Sequence, residues 1–145
     1  MWAKWTEVNG LACQGKTEAR MAQILFDLGY TPTRGAAVET PLGKYNPDFD
    51  CGDFYVEVKA INSWLQSHGL VPMMEKARDP KLANKTDKQH RKMVHVNEHV
   101  KPVVVLVDMT SSKKAYREMP LPETPLRVIM GSPEEIKNVI VKESL

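Results

Sequence analysis

Apolar residues recur at helical spacing early in the chain. Those within positions 22–28 fall on one side of a helix, Thr17 ahead of them is a residue type that caps helices, and Gly29 ends the pattern. The sequence therefore predicts a first helix over residues 17–28.

Turn-forming residues divide the next part of the chain into short extended segments. Pro41-Leu42-Gly43 and Asp50-Cys51-Gly52-Asp53 are both turn signals. Three consecutive strands, joined as hairpins, are predicted beside these turns, over residues 36–40, 45–50 and 53–60.

The second half of the chain alternates again between helical and extended patterns. Helices are predicted over 62–67 and 81–96, and Pro72 and Pro80 interrupt the segment between them. The unbroken apolar run 103–107 is typical of a strand that is buried on both faces.

The last part of the chain adds one strand and one helix. A short strand is predicted over 126–130, and Ser132, Pro133 and the two acids after them form the pattern of a helix start. The buried face of this helix would carry Ile136, Val139 and Ile140. This order of elements predicts a mixed α/β fold.

Length and composition limit the class of protein. A chain of 145 residues has the usual size of one domain, so a single unit over residues 1–145 is expected. Hydrophobic residues make up 42% and charged residues 26%, as in soluble globular proteins, and no apolar run is long enough to span a membrane. The N-terminal residues lack the features of a secretory signal, and Cys13 and Cys51 have no CxxC spacing. These features predict an intracellular, cytoplasmic protein with reduced cysteines.

Positive charge is concentrated in the middle of the chain. The net charge is only +2, but seven Lys and Arg residues within 76–92 are opposed there by two aspartates. Such a run is either a solvated helix face or a surface that binds the phosphate backbone of nucleic acid. The residues predicted to contact DNA are Lys85, Lys88, Gln89, Arg91 and Lys92.

The predicted strand 53–60 carries two charged side chains on one face. Side chains alternate between the faces of a strand, so Glu57 and Lys59 point together while the apolar Val56 and Val58 point to the other face.

The preceding strand brings a second carboxylate to this face. If Cys51-Gly52 is a two-residue hairpin loop, Asp48 lies opposite Tyr55 and is the diagonal neighbour of Glu57. Diagonal neighbours are about 7–8 Å apart at the backbone, so two leaning carboxylates can hold one hard cation.

This combination suits the hydrolysis of phosphodiesters. Carboxylates that hold Mg²⁺ serve to neutralise the phosphate and to generate a nucleophile from water. The amine of Lys59, two residues beyond Glu57, can orient or deprotonate that water. Glu18 offers a third carboxylate because it shares a helical stripe with apolar residues, although an acid in a first helical turn is also favourable by itself.

Pro47-Asp48 followed by Glu57-Val58-Lys59 resembles the signature of the PD-(D/E)xK nuclease superfamily. The order of predicted elements over 16–108 is similar to the restriction-endonuclease-like αβββαβ core of that family, a mixed sheet flanked by helices. The small size is similar to that of phage-type and archaeal junction-resolving endonucleases.

The resemblance implies an activity and a role for each residue of the motif. It implies that Asp48 and Glu57 bind Mg²⁺ or Mn²⁺ with help from the Val58 carbonyl, that Lys59 is the catalytic lysine, and that Glu18 is an acid near the metal. A further polar group is implied on the following helix, either Gln89 or Lys92. The predicted function is a metal-dependent endonuclease that acts on double-stranded or branched DNA, with a phage origin as one source that the resemblance implies. Cutting two strands favours a homodimer.

Two other functions compete with this prediction. The segment Gly10–Thr17 satisfies the phosphate-binding pattern GxxxxGK[ST], and a strand ending at Asp108 would supply a second nucleotide-binding motif. A phosphate-binding loop follows a buried parallel strand, however, and residues 2–9 are too polar for one. The other alternative is a non-catalytic DNA-binding domain of nuclease fold. His95 and His99 lack the further ligands of a zinc site, and Trp2, Trp5 and Trp64 suit cores or base stacking.

Overall fold

The computed structural model of the protein describes residues 5–60, 80–110 and 123–145, and it describes no side chains for 80–87. Within these ranges the helices are α1 (Gly15–Asp27), α2 (Pro80–His99) and α3 (Pro133–Glu143). The strands are β1 (Trp5–Val8), β2 (Leu11–Gln14), β3 (Val38–Thr40), β4 (Gly43–Tyr45), β5 (Phe49–Asp50), β6 (Tyr55–Ala60), β7 (Val103–Asp108) and β8 (Arg127–Gly131). The helix predicted over 62–67, together with Trp2 and Trp64, lies outside the described residues.

A four-stranded mixed sheet forms the centre of the molecule. Its order is β5-β6-β7-β8, with β5 antiparallel to β6 and the other neighbours parallel. The pairs β1-β2 and β3-β4 are separate antiparallel hairpins. The predicted mixed α/β class is confirmed.

Each face of the central sheet packs against a different set of helices. One face, named here the α1 face, meets α1 and α3, and its fully buried side chains include Met21, Leu25, Ile136 and Leu106. The other, the α2 face, meets α2 and has a core that includes Met93, Val96, Val103 and Val105. The sheet is therefore buried on both sides.

The surroundings of strand β7 explain why its first five residues are all apolar. Parallel neighbours and helices surround it, and all six of its residues are buried. Val104 and Leu106 face α1 while Val105 faces α2, so both faces of the run 103–107 are covered by apolar cores. The predicted buried strand is confirmed and extends by one residue to Asp108.

The final helix follows its sequence signals closely. The Ser132 hydroxyl accepts from the Glu135 amide at 3.2 Å, and the Glu135 carboxylate accepts from the Ser132 amide at 3.1 Å. This reciprocal capping box, with Pro133 at the first helical position, fixes the start of α3.

The first helix begins two residues earlier than predicted. Its N-cap is Gln14, so Thr17 is not the capping residue. No side chain of Gln14 itself caps the helix, but the carboxylate of Glu18 accepts from the Gln14 amide at 3.2 Å. That contact satisfies the backbone amide of the N-cap residue itself, and it leaves the amides of the first helical turn without a capping side chain from Gln14.

The hairpin of β1 and β2 was not predicted. Asn9 and Gly10 join the two strands with positive φ angles of 49° and 85°, which is the chemistry of a tight hairpin turn. The overlooked signal is therefore the Asn-Gly pair itself.

This hairpin also decides what becomes of the GxxxxGK[ST] pattern. Gly10 lies in the turn, Leu11–Gln14 form an antiparallel strand and Gly15 begins α1. A phosphate-binding loop instead connects a parallel strand to a helix. The local structure of Gly10–Thr17 thus differs from that of a P-loop.

The described helices include none with both the length and the apolar character that a membrane crossing requires.

Candidate active site

The pairing of β5 with β6 places Asp48 next to Glu57. Phe49 pairs with Val56 and Asp50 with Tyr55, so Asp48 follows in line opposite Glu57. The predicted register, with Asp48 opposite Tyr55, is wrong by two residues.

The difference comes from the loop, which spans Cys51 to Phe54 instead of two residues. The Cys51 amide donates to the Phe54 carbonyl at 3.0 Å, and the Gly52 amide donates to the Asp50 carboxylate at 2.9 Å. Because side chains alternate with a period of two, a shift of two residues leaves every side chain on its predicted face.

A hydrogen bond from β6 fixes the side chain of Asp48, which immediately precedes β5. Beyond the last pair of the ladder, the Val58 amide donates to Asp48 Oδ2 at 2.8 Å. The amide and carbonyl of one strand residue point toward the same neighbouring strand, so the Val58 carbonyl faces the Asp48 side as well. Asp48 and this carbonyl can therefore present oxygen atoms to one point.

Glu57 is buried on the α2 face, with only 2% of its surface exposed. Its Oε1 accepts a hydrogen bond of 2.6 Å from the hydroxyl of Tyr45, and its Oε2 lies 3.8 Å from Lys59 Nζ. Tyr45 is itself 1% exposed. Glu57 is thus held from both sides inside the protein.

The electrostatic environment of Glu57 is unfavourable for a second negative charge. Burial, followed by the charge of Asp48 and a hydrogen bond between the two carboxyl groups, raises the pKa of Glu57 well above 4.5. Lys59 and the Tyr45 hydroxyl oppose this rise without cancelling it. Burial and the proximity of Glu57 also raise the pKa of Tyr45 strongly, so its hydroxyl stays protonated and donates.

Lys59 connects the site to helix α2. Its ammonium group donates to Gln89 Oε1 at 2.5 Å, and its side chain is only 13% exposed. Of the two polar groups implied on the following helix, Gln89 is therefore the one in contact with Lys59. Lys92 donates to the Lys44 carbonyl at 3.0 Å instead.

Glu18 lies close enough to Asp48 to be affected by its charge. Burial, followed by that charge, raises the pKa of Glu18. Its carboxylate, however, accepts a hydrogen bond from the Gln14 amide and forms an ion pair with the guanidinium of Arg34. The structure therefore places Glu18 beside the site but in a structural ion pair.

Arg34 is a neighbour of the site that the sequence did not indicate. Its guanidinium lies 5.5 Å from the centre of the Trp5 ring and 5.9 Å from that of Phe49, besides pairing with Glu18. Arg34 lies 16 positions after Glu18 in the sequence, so no local spacing points to the pair.

The predicted DNA-contacting residues divide between two surface clefts. Lys88, Gln89 and Lys92 line a cleft of about 240 Å³ together with residues of β4. Arg91 lines a different groove of about 400 Å³. The side chain of Lys85 lies outside the described residues.

The donor set suits some metals and not others. Within the described ranges, no group of three or more His, Cys, Asp or Glu side chains is arranged to hold a metal ion. His95 and His99 stack with their ring centres 4.5 Å apart. Mg²⁺ is commonly held by one or two carboxylates, with water and substrate phosphate as the other ligands. Asp48, Glu57 and the Val58 carbonyl fit that pattern, whereas a structural zinc site needs four protein ligands.

The site thus unites Asp48, Glu57 and Lys59 from one strand pair with Gln89 from α2 and Tyr45 from β4. Comparison of the chain with protein-family models, curated proteins and solved structures finds no match. The function is therefore inferred from the chemistry of these residues.

Proposed function

We propose that the protein is a metal-dependent DNA endonuclease that uses Asp48, Glu57 and Lys59. The observation that carries this proposal is the burial of Glu57 beside Asp48, with Lys59 only 3.8 Å away. Burying Glu57 next to the partly buried carboxylate of Asp48 is costly unless a cation compensates the charge, and one lysine does not restore the pKa of Glu57. Perturbed groups of this kind concentrate at functional sites.

Asp48, Glu57 and the Val58 carbonyl would hold Mg²⁺ or Mn²⁺. When bound, the cation would neutralise phosphate charge and activate water as a Lewis acid. The Val58 amide fixes Asp48 and the Tyr45 hydroxyl fixes Glu57, and the two carboxyl groups are close enough to interact. The protein therefore supplies a donor set that needs little rearrangement.

Lys59 would act on the attacking water and on the phosphate. Its ammonium group can orient the nucleophile and reduce the negative charge that develops at phosphorus. Gln89 Oε1 accepts from the Lys59 ammonium group at 2.5 Å, so helix α2 fixes the position of that group.

The fold is compatible with a restriction-endonuclease-like core. The order α1, strands β3 to β6, α2 and β7 supports this in part. Four short strands replace the three predicted, and β3 and β4 form a hairpin separate from the central sheet. Double-stranded or branched DNA is the proposed substrate, and a homodimer would place two such sites on two strands. We also propose that the enzyme is intracellular and phage-encoded.

Cleavage assays test the proposal. Purified protein is incubated with supercoiled, linear, single-stranded and branched DNA, with and without Mg²⁺. We expect cleavage only with the metal and a loss of about 10²–10⁴-fold in Lys59→Met. Lys137→Met on α3 is the matched control, and its activity should equal that of the unaltered protein.

The outcomes separate the candidate functions. Cleavage that survives in both Lys59→Met and Asp48→Asn would overturn the proposal. DNA binding without cleavage of any substrate would identify the protein as a non-catalytic binding domain. ATP binding that Lys16→Ala abolishes would favour the nucleotide-binding alternative.

A further inference from the structure

The cleft beside Lys59 has a chemistry of its own. It lies between β4 and α2 and has a volume of about 240 Å³. Its lining consists of Lys44, Tyr45, Asn46, Lys88, Gln89 and Lys92. None of these six residues is acidic, so the cleft is positively charged and rich in hydrogen-bond donors.

The arrangement of its lysines is unfavourable without an anion. Lys88 and Lys92 are four residues apart on α2, where side chains are neighbours and like charges repel. The side chain of Lys92 also reaches β4, where its ammonium group donates to the Lys44 carbonyl at 3.0 Å. A bound anion would relieve the repulsion between the two lysines.

The cleft adjoins the candidate active site through shared residues. Two of its lining residues touch that site directly: Tyr45 donates to Glu57 and Gln89 accepts from Lys59. Any strand held in the cleft would therefore extend toward Asp48, Glu57 and Lys59.

We infer that this cleft binds one backbone phosphate of the DNA, through Lys88 and Lys92 together. The inference rests on the proposed function, since it assigns the substrate's path to the same site. The volume lies below the range of about 300–1,000 Å³ usual for pockets that enclose a drug-sized ligand, so it suits one phosphate and its sugar better than a base pair.

Salt-dependent DNA binding tests this inference without relying on cleavage. Binding of a fluorescently labelled duplex is measured in EDTA from low to high salt, for the unaltered protein and for Lys88→Gln/Lys92→Gln. Each phosphate neutralised on a duplex contributes about 0.9 to the slope of log K against log salt. We expect the double variant to lose about 0.9 from the slope. Lys137→Gln/Lys142→Gln on α3 removes the same charge from the opposite side of the sheet and should leave the slope unchanged.

Other outcomes overturn the inference. An unchanged slope, an equal loss in the α3 control, or an absence of binding at low salt would show that the cleft holds no phosphate. A loss of about two would mean that each lysine contacts its own phosphate. Lys88→Gln alone guards against misfolding, because Lys88 is exposed; it should keep the melting temperature and still lower the slope.

The cleft and the catalytic proposal can fail separately. If the protein has no nuclease activity, the slope in EDTA still reports on Lys88 and Lys92. If the cleft is wrong but the nuclease proposal holds, Lys88→Gln should leave both the slope and the DNA concentration for half-maximal cleavage unchanged.

Discussion

The two faces of the central sheet are made by the same strands but have different contents. On β6, Val56 points to the α1 face and is fully buried among apolar side chains. Its neighbour Glu57 points to the α2 face, is equally buried, and meets Tyr45 and Lys59. The α1 face therefore mainly stabilises the fold. The α2 face is less stabilising, because it holds a charged group in place.

The largest expected effect on stability is on the α1 face. Leu106→Ala removes a fully buried side chain from the middle of β7 and should lower the free energy of unfolding by about 2–5 kcal/mol. Chemical denaturation measures this loss. Cleavage at a temperature where the variant is folded should be unchanged, because the side chains of Glu57 and Lys59 lie on the α2 face.

Val105→Ala provides the comparison from the same strand. Val105 pairs with Glu57 in the parallel ladder and packs on the α2 face. Val105→Ala should lower the free energy of unfolding less than Leu106→Ala does, because it removes fewer carbon atoms. It should nevertheless reduce cleavage more. The reverse order would mean that the faces do not divide stability and function as described.

The sequence predicted strand β7 and the C-terminal helix better than the details of the site. The buried run of β7 and the capping signals of α3 are local, so pattern and position agree with the structure. The β5-β6 register failed because the loop type depends on the hydrogen bonds of Asp50 and Cys51, which the turn residues alone do not specify.

Site partners from distant elements were beyond the reach of sequence patterns. Tyr45 was assigned to a strand with Asp48, but it ends β4 and donates to Glu57. Arg34 reaches Glu18 from a loop. The motif nevertheless identified Asp48, Glu57 and Lys59 as neighbours, because strand alternation survives a shift of two residues.

The next largest effect should come from Tyr45→Phe. This change removes a buried hydroxyl from Glu57 and should cost about 1–2 kcal/mol of stability, as for a buried hydrogen bond to an ionisable group. It should also raise the Mg²⁺ concentration needed for half-maximal cleavage, since Glu57 loses the group that orients it. Titration of activity with Mg²⁺ measures the second effect.

Tyr30→Phe is the matched control for this substitution. The Tyr30 hydroxyl accepts from the Leu145 amide and Tyr30 packs against the α1-face core. Its loss should leave the Mg²⁺ dependence unchanged. Equal shifts in the two variants would show that Tyr45 does not position Glu57.

A smaller effect of opposite sign is expected for Glu57→Gln. The amide can still accept from Tyr45 and can donate to Asp48, and the repulsion between the carboxylates disappears. Without metal at neutral pH, the variant should be more stable by on the order of 1 kcal/mol. A calorimetric melting temperature below that of the unaltered protein would contradict this account, and cleavage should be lost.

The pH dependence of stability also depends on the ionisation of Glu57. The pKa of Glu57 is raised in the folded protein, so above 4.5 the folded state keeps a proton that the unfolded state releases. Stability should therefore fall as the pH rises from 4.5 through the folded value. Asp50 acts oppositely at low pH: burial would raise its pKa, but Lys101 and the Gly52 amide lower it, so its contribution is lost below 3.8.

Melting temperatures across this pH range, with and without Mg²⁺, measure the trend. Mg²⁺ should stabilise the protein more at higher pH, because it binds the ionised carboxylates. Glu57→Gln should flatten the trend, and among the described carboxylates Glu18, whose pKa is raised in the same direction, should still contribute to it. A slope that is unchanged in Glu57→Gln would assign the titration to other groups.

The smallest effect is expected at the boundary between the two faces, where Glu18 pairs with Arg34. The side chain of Arg34 is 36% exposed, so the pair should contribute less than about 1 kcal/mol, and Glu18→Gln should lower stability only slightly. Because Arg34 and the Gln14 amide already occupy Glu18, cleavage should fall by a few-fold at most, and Arg34→Gln should have a similar effect. Mg²⁺ titration of cleavage distinguishes this from the role that the resemblance implies. If Glu18→Gln instead matches Asp48→Asn in lost activity and in metal requirement, Glu18 must leave Arg34 to bind the metal, and the site extends from the α2 face to the first helix.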